Sequence, residues 1–156
     1  MITFLNRRRI ESQNGTNQDI INSMIKYVPE SAKQVQIIKK RFSGKNTLNT
    51  AQKIWGFLKF YVTYKKDASG QEIKLPSALI HYKNGDCKSY SLFAAAILKS
   101  LGLPAYFRFA CYDNTKIPSH VYVYTVDENG KQIIIDACFT KFNAEKRFTY
   151  NKDYKL

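Results

Sequence analysis

The sequence contains few of the residues that cross-link small proteins. It has three cysteines, Cys87, Cys111 and Cys138, an odd number with no closely spaced pair. Disulfide-stabilised miniproteins and zinc fingers depend on paired cysteines at short spacings, so the pattern argues against both classes. The chain also has only two histidines, which further reduces the supply of metal ligands. We therefore expect reduced thiols, no metal ion and no cofactor.

Long hydrophobic stretches are also missing. The longest unbroken apolar run, at 92–98, is seven residues long, whereas a membrane-spanning helix needs about 20. The N-terminus carries Arg7, Arg8 and Arg9 after its apolar residues, and no apolar stretch follows them. Because a secretory signal places its charges before its apolar region, we predict no signal peptide. The expected location is the cytoplasm, or a virion that carries the protein.

Acidic residues are scarce: 12 Asp and Glu oppose 25 Lys and Arg, which gives a net charge of +13. Such a surplus favours polyanionic partners. No sequence motif for reading bases accompanies it, so a contact with nucleic acid would be blind to sequence. The charge would also suit a member of a larger assembly, such as a nucleoprotein particle or virion. A solvated basic surface explains each separate basic cluster as well, so both interpretations stay open.

The sequence does contain the pattern of one α+β domain. Its 156 residues match the usual size of a single domain, and 44% of them are hydrophobic. Helical spacing predicts a first helix from Asn17 that is stopped by Pro29. Ser31 and Gln34 resemble a capping box for a second helix, and Thr47 is predicted to cap a third.

The second half of the chain predicts a buried helix followed by a sheet. Asp86 is expected to cap a helix from Cys87 to about Leu101 that is apolar nearly all round. β-forming residues then predict antiparallel strands at 105–112, 119–126 and 131–137. N-terminal helices and the buried helix would thus pack on an antiparallel sheet. The predicted boundaries are a basic N-terminal arm at 1–16, one domain at 17–142 with its core at 47–142, and a basic C-terminal tail at 143–156.

Three side chains in this framework suggest thiol chemistry. Cys87 is predicted in the first turn of the buried helix, where the helix dipole favours a thiolate and backbone N–H groups can face an oxyanion. A nucleophilic thiol needs an imidazole base, oriented by a third polar group. His120 lies on the middle predicted strand. Asp136 ends the apolar run of the next strand, where burial of a carboxylate is costly unless it has a partner.

The hairpin loop predicts whether His120 and Asp136 share a face of the sheet. A three-residue Glu-Asn-Gly loop, with Gly130 in the left-handed conformation, pairs Asp127 with Lys131. Asp136 then becomes a diagonal neighbour of His120 on the same face. The opposite face takes four apolar side chains: Val121, Val123, Ile133 and Ile135. A two-residue loop would instead place His120 and Asp136 on opposite faces.

These segments resemble the transglutaminase-like superfamily. Residues 85–91 (Gly-Asp-Cys-Lys-Ser-Tyr-Ser), the apolar helix and Leu-Gly-Leu-Pro-Ala at 101–105 look like its nucleophile segment. Residues 119–123 are similar to its histidine strand and residues 134–137 to its aspartate strand. The resemblance implies a papain-like fold and catalysis by Cys87, His120 and Asp136. Members hydrolyse peptide or other amide bonds, or transfer the acyl group of glutamine to an amine, so the implied partner is a protein or peptide substrate.

Five further side chains have both a functional and a structural interpretation. Tyr82, shortly before Cys87, and Tyr122, two residues after His120, are predicted to help bind the substrate, although an exposed loop and core packing explain them as well. Trp55 lies at helical spacing and is predicted to belong to the core rather than to the site. Cys111 and Cys138 are expected to be inert thiols.

The function predicted from the sequence is thiol-dependent acyl transfer on amide bonds, as a hydrolase rather than a crosslinking enzyme. The first alternative is a catalytically silent protein of this type with a structural or binding role in a larger assembly. The second is a cell-wall amidase, whose cationic surface would promote binding to an anionic envelope.

Overall fold

The chain folds as a mixed helical and antiparallel-sheet protein, and the predicted α+β class is confirmed. The computed structural model describes residues 9–12, 16–66 and 71–156, so most of the predicted N-terminal arm lies outside the described residues. The helices are α1 (Asn17–Lys26), α2 (Val28–Gln34), α3 (Thr47–Tyr61), α4 (Pro76–Tyr82) and α5 (Cys87–Ser100). The strands are β1 (Arg9–Ser12), β2 (Thr63–Tyr64), β3 (Gln71–Lys74), β4 (Asn84–Gly85), β5 (Tyr106–Cys111), β6 (His120–Val126), β7 (Gln132–Ile135) and β8 (Tyr150–Lys155).

The main sheet has four antiparallel strands in the order β7-β6-β5-β8. The β6–β7 hairpin has the register that a three-residue loop predicts, because Val123 lies opposite Ile135 and the Asp127 N–H donates to the Lys131 carbonyl at 2.9 Å. Gly130 adopts a φ of 79°, in the left-handed region that this loop requires. The apolar face predicted for the hairpin, Val121, Val123, Ile133 and Ile135, is buried in the main core.

Helix α5 occupies the centre of the molecule, as its sequence predicts. Every residue from Lys88 to Leu98 is buried, and the Ser91 hydroxyl donates to the Val121 carbonyl of β6 at 3.0 Å. The other helices pack around α5 and the adjoining face of the sheet, within one large apolar core. None of the helices among the described residues is long and apolar enough to cross a membrane. The N-terminus of α5 is thereby fixed relative to β6.

The first helix ends before Pro29, as predicted, but the second helix begins at Val28 and not at Ser31. Pro29 lies in the first turn of α2, where its missing N–H costs no hydrogen bond, and Ser31 is a buried residue inside that helix. A separate short 3₁₀ turn at Lys39–Arg41 follows instead of a continuous second helix. Three apolar side chains of this segment are nevertheless buried: Val35, Ile38 and Phe42.

The start of α3 differs from the prediction by one residue. Asn46, not Thr47, caps the helix by accepting from the Asn49 N–H at 2.8 Å. Thr47 instead donates its N–H and its hydroxyl to Glu128 Oε1, at 3.0 Å and 2.7 Å. Glu128 belongs to the loop between β6 and β7, so these bonds tie α3 to the hairpin that carries His120.

The segment predicted as a C-terminal tail contains a strand of the sheet. β8 pairs along its whole length with β5, from Tyr150 opposite Cys111 to Lys155 opposite Tyr106. Its polar sequence concealed the strand, because an edge strand has one side open to solvent. Two of its side chains still make specific contacts: Tyr154 packs against Phe109, and Asp153 pairs with Arg108.

Candidate active site

Cys87 is the first residue of α5, as predicted. Asp86 caps the helix by accepting from the N–H groups of Lys88 and Ser89, at 3.0 Å and 3.4 Å, and it also forms an ion pair with the Lys88 ammonium group. Gly85 allows the backbone to pass close to Leu79 just before the helix begins, since a Cβ at position 85 would lie 2.7 Å from Leu79 Cδ1. The Cys87 N–H has no acceptor within the helix, because the first turn of any helix leaves its donors unpaired.

His120 and Asp136 lie on adjacent strand ends and are hydrogen-bonded. His120 Nε2 and Asp136 Oδ2 are 2.8 Å apart. The Cys138 N–H also donates to Asp136 Oδ1 at 3.1 Å, which fixes the plane of the carboxylate. Because Asp136 occupies Nε2, the other ring nitrogen, Nδ1, is left to exchange a proton with a neighbouring group. Both side chains are largely buried, with exposed fractions of 16% for His120 and 5% for Asp136.

The charge of His120 is set by two opposing effects. Burial of the ring lowers the pKa of His120, because it disfavours the charged form. The hydrogen bond to Asp136, together with the hydrogen bond and charge interaction with Cys87, outweighs burial and raises the pKa to about 10. The imidazole is therefore cationic at neutral pH, held between a carboxylate and a sulfur atom.

Cys87 and His120 open onto one pocket of about 190 Å³. Its wall combines the start of α1, the start of β3, the N-terminus of α5 and the loop before β6. The described residues that line it are Asn17, Ile20, Ile21, Gln71, Cys87, Lys88, Phe109, Pro118, Ser119, His120 and Val121. A molecule in this pocket would meet the sulfur and the imidazole together.

The two tyrosines predicted to bind substrate are placed differently. Tyr122 is 1% exposed, its ring lies 5.6 Å from that of His120, and its hydroxyl donates to Glu145. Tyr122 therefore packs against the imidazole and has almost no exposed surface with which to contact a substrate. Tyr82 is exposed on α4 with its ring beside His81, and it is not among the described residues that line the pocket.

Trp55 contacts the site, although its spacing predicted only a core role. Its indole Nε1–H donates to the backbone carbonyl of Asp136 at 3.0 Å, while its ring packs against Phe60 and Phe142. Trp55 and Asp136 are 81 positions apart, so the contact depends on the packing of α3 against β7. No short-range pattern in the sequence signals such a contact.

The other two cysteines lie in surroundings that suppress thiol chemistry. Cys111 is 1% exposed and its thiol donates to Asp113. Burial, followed by the negative charge of Asp136, raises the pKa of Cys138 well above its ordinary value. Cys138 also completes the one set of metal-ligand atoms found among the described residues: its sulfur, a His120 nitrogen and an Asp136 oxygen all lie within 4.8 Å of one another. A metal ion bound there would compete with the hydrogen bond between His120 and Asp136.

Solved structures share this fold. A protein from Cytophaga hutchinsonii, provisionally assigned as a cysteine protease, superposes with a TM-score of 0.57 at 16% identity, over 94% of this chain and 57% of its own. A protein from Parabacteroides distasonis, provisionally assigned as a protease, gives a TM-score of 0.63 at 12% identity, over 91% of this chain and 30% of its own. This chain therefore spans well under two thirds of either structure.

Sequence comparison assigns the family. No curated protein gives a significant match to this chain. The model of the transglutaminase-like superfamily, however, matches residues 36–142, which is more than half of the sequence and includes Cys87, His120 and Asp136. The chain belongs to the transglutaminase-like superfamily.

Proposed function

We propose that this protein is a thiol hydrolase that cleaves amide bonds in peptides, with Cys87 as the nucleophile, His120 as the acid–base group and Asp136 as the group that orients the imidazole. One observation carries the proposal. Cys87, at the N-terminus of a buried helix, shares a pocket with an imidazole whose far nitrogen bonds a buried carboxylate. This combination of nucleophile, base and orienting acid is the arrangement that acyl-transfer chemistry needs.

In the first half of the reaction, the Cys87 sulfur attacks the carbonyl carbon of the scissile amide. His120 takes up the thiol proton as the sulfur attacks, and Asp136 stabilises the resulting imidazolium ion. Collapse of the tetrahedral intermediate breaks the carbon–nitrogen bond. His120 gives its proton to the departing amine, and a thioester of Cys87 remains.

In the second half, water attacks the thioester carbonyl and His120 accepts a proton from that water. The carbon–sulfur bond then breaks, which releases the carboxylic acid and restores Cys87. A primary amine in place of water would give transfer rather than hydrolysis, so the same residues serve both reactions of the superfamily.

Negative charge on the carbonyl oxygen needs a donor in both halves. The Cys87 N–H is suited to this role because it stands at the positive end of α5 and the side chain of Asp86 accepts from the next two N–H groups, not from this one. Asp86 thus has two functions: it caps the helix and leaves the first donor to the substrate.

The family supports the choice of a peptide substrate, and two solved structures of the same fold are provisionally assigned as proteases. The alternative of a silent structural protein gains no support from a site in which His120 is charged and bonded to Asp136 beside Cys87. Contact with nucleic acid and membership of a larger assembly rest on the net charge alone and stay predictions.

The test begins with the reactivity of the three thiols. At about pH 6, where an ordinary thiol is almost entirely protonated, iodoacetamide should alkylate Cys87 much faster than Cys111 or Cys138, as mapped by mass spectrometry. The variant His120→Ala should lose that advantage. Equal alkylation of the three cysteines in the wild-type protein would refute an activated nucleophile.

Turnover is then measured on a library of quenched fluorescent peptides. Cys87→Ala should abolish hydrolysis. Asp136→Asn should keep some activity, with a rate lower by about 10²–10⁴-fold because the imidazole loses its orienting charge. Cys111→Ala is the matched control and should cleave at the wild-type rate. Cleavage that survives Cys87→Ala would exclude Cys87 as the nucleophile.

A further inference from the structure

Helix α1 forms part of the pocket although it lies outside the family match. The superfamily model covers residues 36–142, whereas Asn17, Ile20 and Ile21 line the pocket beside Cys87. The nucleophile and the imidazole come from the matched region. One wall of the space that a substrate must enter therefore comes from a segment that the shared chemistry does not require.

Part of the pocket lining is apolar. Ile21, Phe109 and Val121 line it and are almost completely buried, with exposed fractions of 2%, 4% and 3%. Ile20 also lines the pocket and is half-buried. The two cationic groups of the lining are already paired, Lys88 with Asp86 and His120 with Asp136. A charged side chain placed against the apolar residues would exchange water for hydrocarbon, at a cost in free energy.

The volume of the pocket limits its occupant to one side chain. At about 190 Å³, it is somewhat larger than an apolar cavity of about 150 Å³ that holds one benzene molecule. It is smaller than the roughly 300–1,000 Å³ of sites that enclose a whole drug-sized ligand. Leucine, or a side chain close to it in size, fits these limits.

Helix α1 is held in place before any substrate arrives. Thr16 and Asp19 form a reciprocal capping box at its start, and Met24 anchors it in the core with no exposed surface. The Asn17 side chain donates to the Pro118 carbonyl at 3.3 Å, which joins the helix to the loop before His120. Because this wall of the pocket is already ordered, binding of a substrate there does not lose conformational entropy of α1.

We propose that α1 builds the specificity subsite of this protein, a pocket that accepts one aliphatic side chain next to the carbonyl that Cys87 attacks. The inference rests on the proposed function and adds the class of substrate to it: a peptide with leucine or a similar residue beside the scissile bond. Ile20 is the residue that sets the size of the subsite, because it lines the pocket and is only half-buried.

The test uses peptidyl fluoromethyl ketones that differ in a single residue, with Leu, Ala, Asp or Lys next to the reactive carbonyl. The rate of Cys87 alkylation is followed by mass spectrometry of the intact protein. Wild type should react with the Leu reagent at least about ten times faster than with the Asp or Lys reagent, as expected for a hydrophobic pocket. Ile20→Phe, which fills the subsite, should invert the preference between Leu and Ala.

Ile25→Phe is the matched control, because Ile25 is a half-buried residue of the same helix that does not line the pocket. It should keep the wild-type preference. Equal rates with all four reagents, or an equal change in both variants, would overturn the subsite while leaving Cys87 as the nucleophile. If neither these reagents nor iodoacetamide alkylate Cys87 preferentially, the proposed function fails and the subsite fails with it.

Discussion

At the scale of single residues, the candidate site depends on hydrogen bonds that hold Asp136 in position. Asp136 takes part in four hydrogen bonds: its carboxylate binds the His120 ring and the Cys138 N–H, and its carbonyl accepts from the Trp55 indole and the Phe139 N–H. Only the first of these could be expected from the hairpin register. The others fix the backbone and the carboxylate plane, so the position of the imidazole depends on residues outside the proposed triad.

Replacement of Trp55 by phenylalanine tests this dependence. Trp55→Phe keeps an aromatic ring beside Phe142 but removes one of the two donors to the Asp136 carbonyl, leaving the Phe139 N–H. We expect unfolding to cost about 1 kcal/mol less, the usual contribution of one such bond. We also expect kcat to fall severalfold with little change in KM, since the carboxylate loses its support and the pocket does not change. Urea denaturation and peptide cleavage measure the two effects.

The control for that variant is Thr125→Val, which deletes a comparable bond from a buried hydroxyl to the Pro104 carbonyl, five residues along β6 from His120. It should destabilise the protein to a similar extent and leave kcat unchanged. A parallel fall of kcat in both variants would mean that Trp55 acts only through general stability.

The titration of His120 gives a prediction with a defined sign. Its pKa in the folded protein is about 10, above its ordinary value of 6.5, so the folded state holds this proton more tightly than the unfolded chain. The resulting stabilisation is complete below about pH 6.5 and is lost as the pH rises through about 10. Nuclear magnetic resonance of the imidazole should show one cationic ring through neutral pH, absent from His120→Gln.

Stability measurements should agree with this titration. Burial also raises the pKa of Cys138, so the wild-type protein loses stability at alkaline pH for a second reason. The informative quantity is the difference between wild type and His120→Gln, which should shrink from about pH 6 to about pH 10. A difference that stays constant over this range would show that folding does not raise the pKa of His120.

At the scale of elements, β8 shows how a polar segment can belong to a sheet. Arg108 of β5 has a side chain only 7% exposed, and its guanidinium group binds Asp153 of β8 at 2.8 Å and Glu145 at 3.0 Å. These two carboxylates compensate the buried charge and raise the pKa of Arg108, against the effect of burial. The strand is thus held by ionic contacts as well as by backbone pairing.

Removal of one carboxylate tests this account. Asp153→Ala should lower the free energy of unfolding by about 1–2 kcal/mol, a moderate loss because Asp153 is partly exposed and Glu145 remains. Lys152→Ala, an exposed neighbour on the same strand, should change it by less than about 0.5 kcal/mol. Urea denaturation of both variants measures the difference. If the two variants are equally stable, backbone pairing alone holds β8.

The sequence predicted those elements whose signals are local. The helix cap at Asp86 and the hairpin register set by the loop that ends at Gly130 each depend on only a few neighbouring residues. Both predictions are confirmed. The start of the second helix and the C-terminal segment were predicted wrongly because their signals are ambiguous. A proline can stop a helix or lie in the first turn of the next one. A polar segment forms a strand only where the neighbouring strand offers partners for its side chains, as Arg108 does for β8.

At the scale of the whole molecule, three acidic residues are paired with basic groups of the fold: Asp86 with Lys88, Asp136 with His120, and Asp153 with Arg108. Several basic side chains are exposed: Lys40, Arg41, Lys45, Lys65 and Lys66. These exposed groups contribute to a positive surface, in line with the net charge of +13. Part of the pocket lining is apolar, so we expect charge and side-chain fit to act on a substrate at different distances.

A positive field of this kind should steer acidic peptides without binding them in the subsite. Two peptides with the same residues around the scissile bond, one flanked by glutamates and the other by glutamines, separate these effects. At low ionic strength the glutamate peptide should have the higher kcat/KM, because long-range attraction speeds its approach. The difference should vanish at about 1 M salt, where the Debye length is about 3 Å. Alkylation of Cys87 by neutral iodoacetamide should not change over the same range. If salt slows both peptides equally, the positive charge acts on the stability of the protein and not on its encounter with substrate.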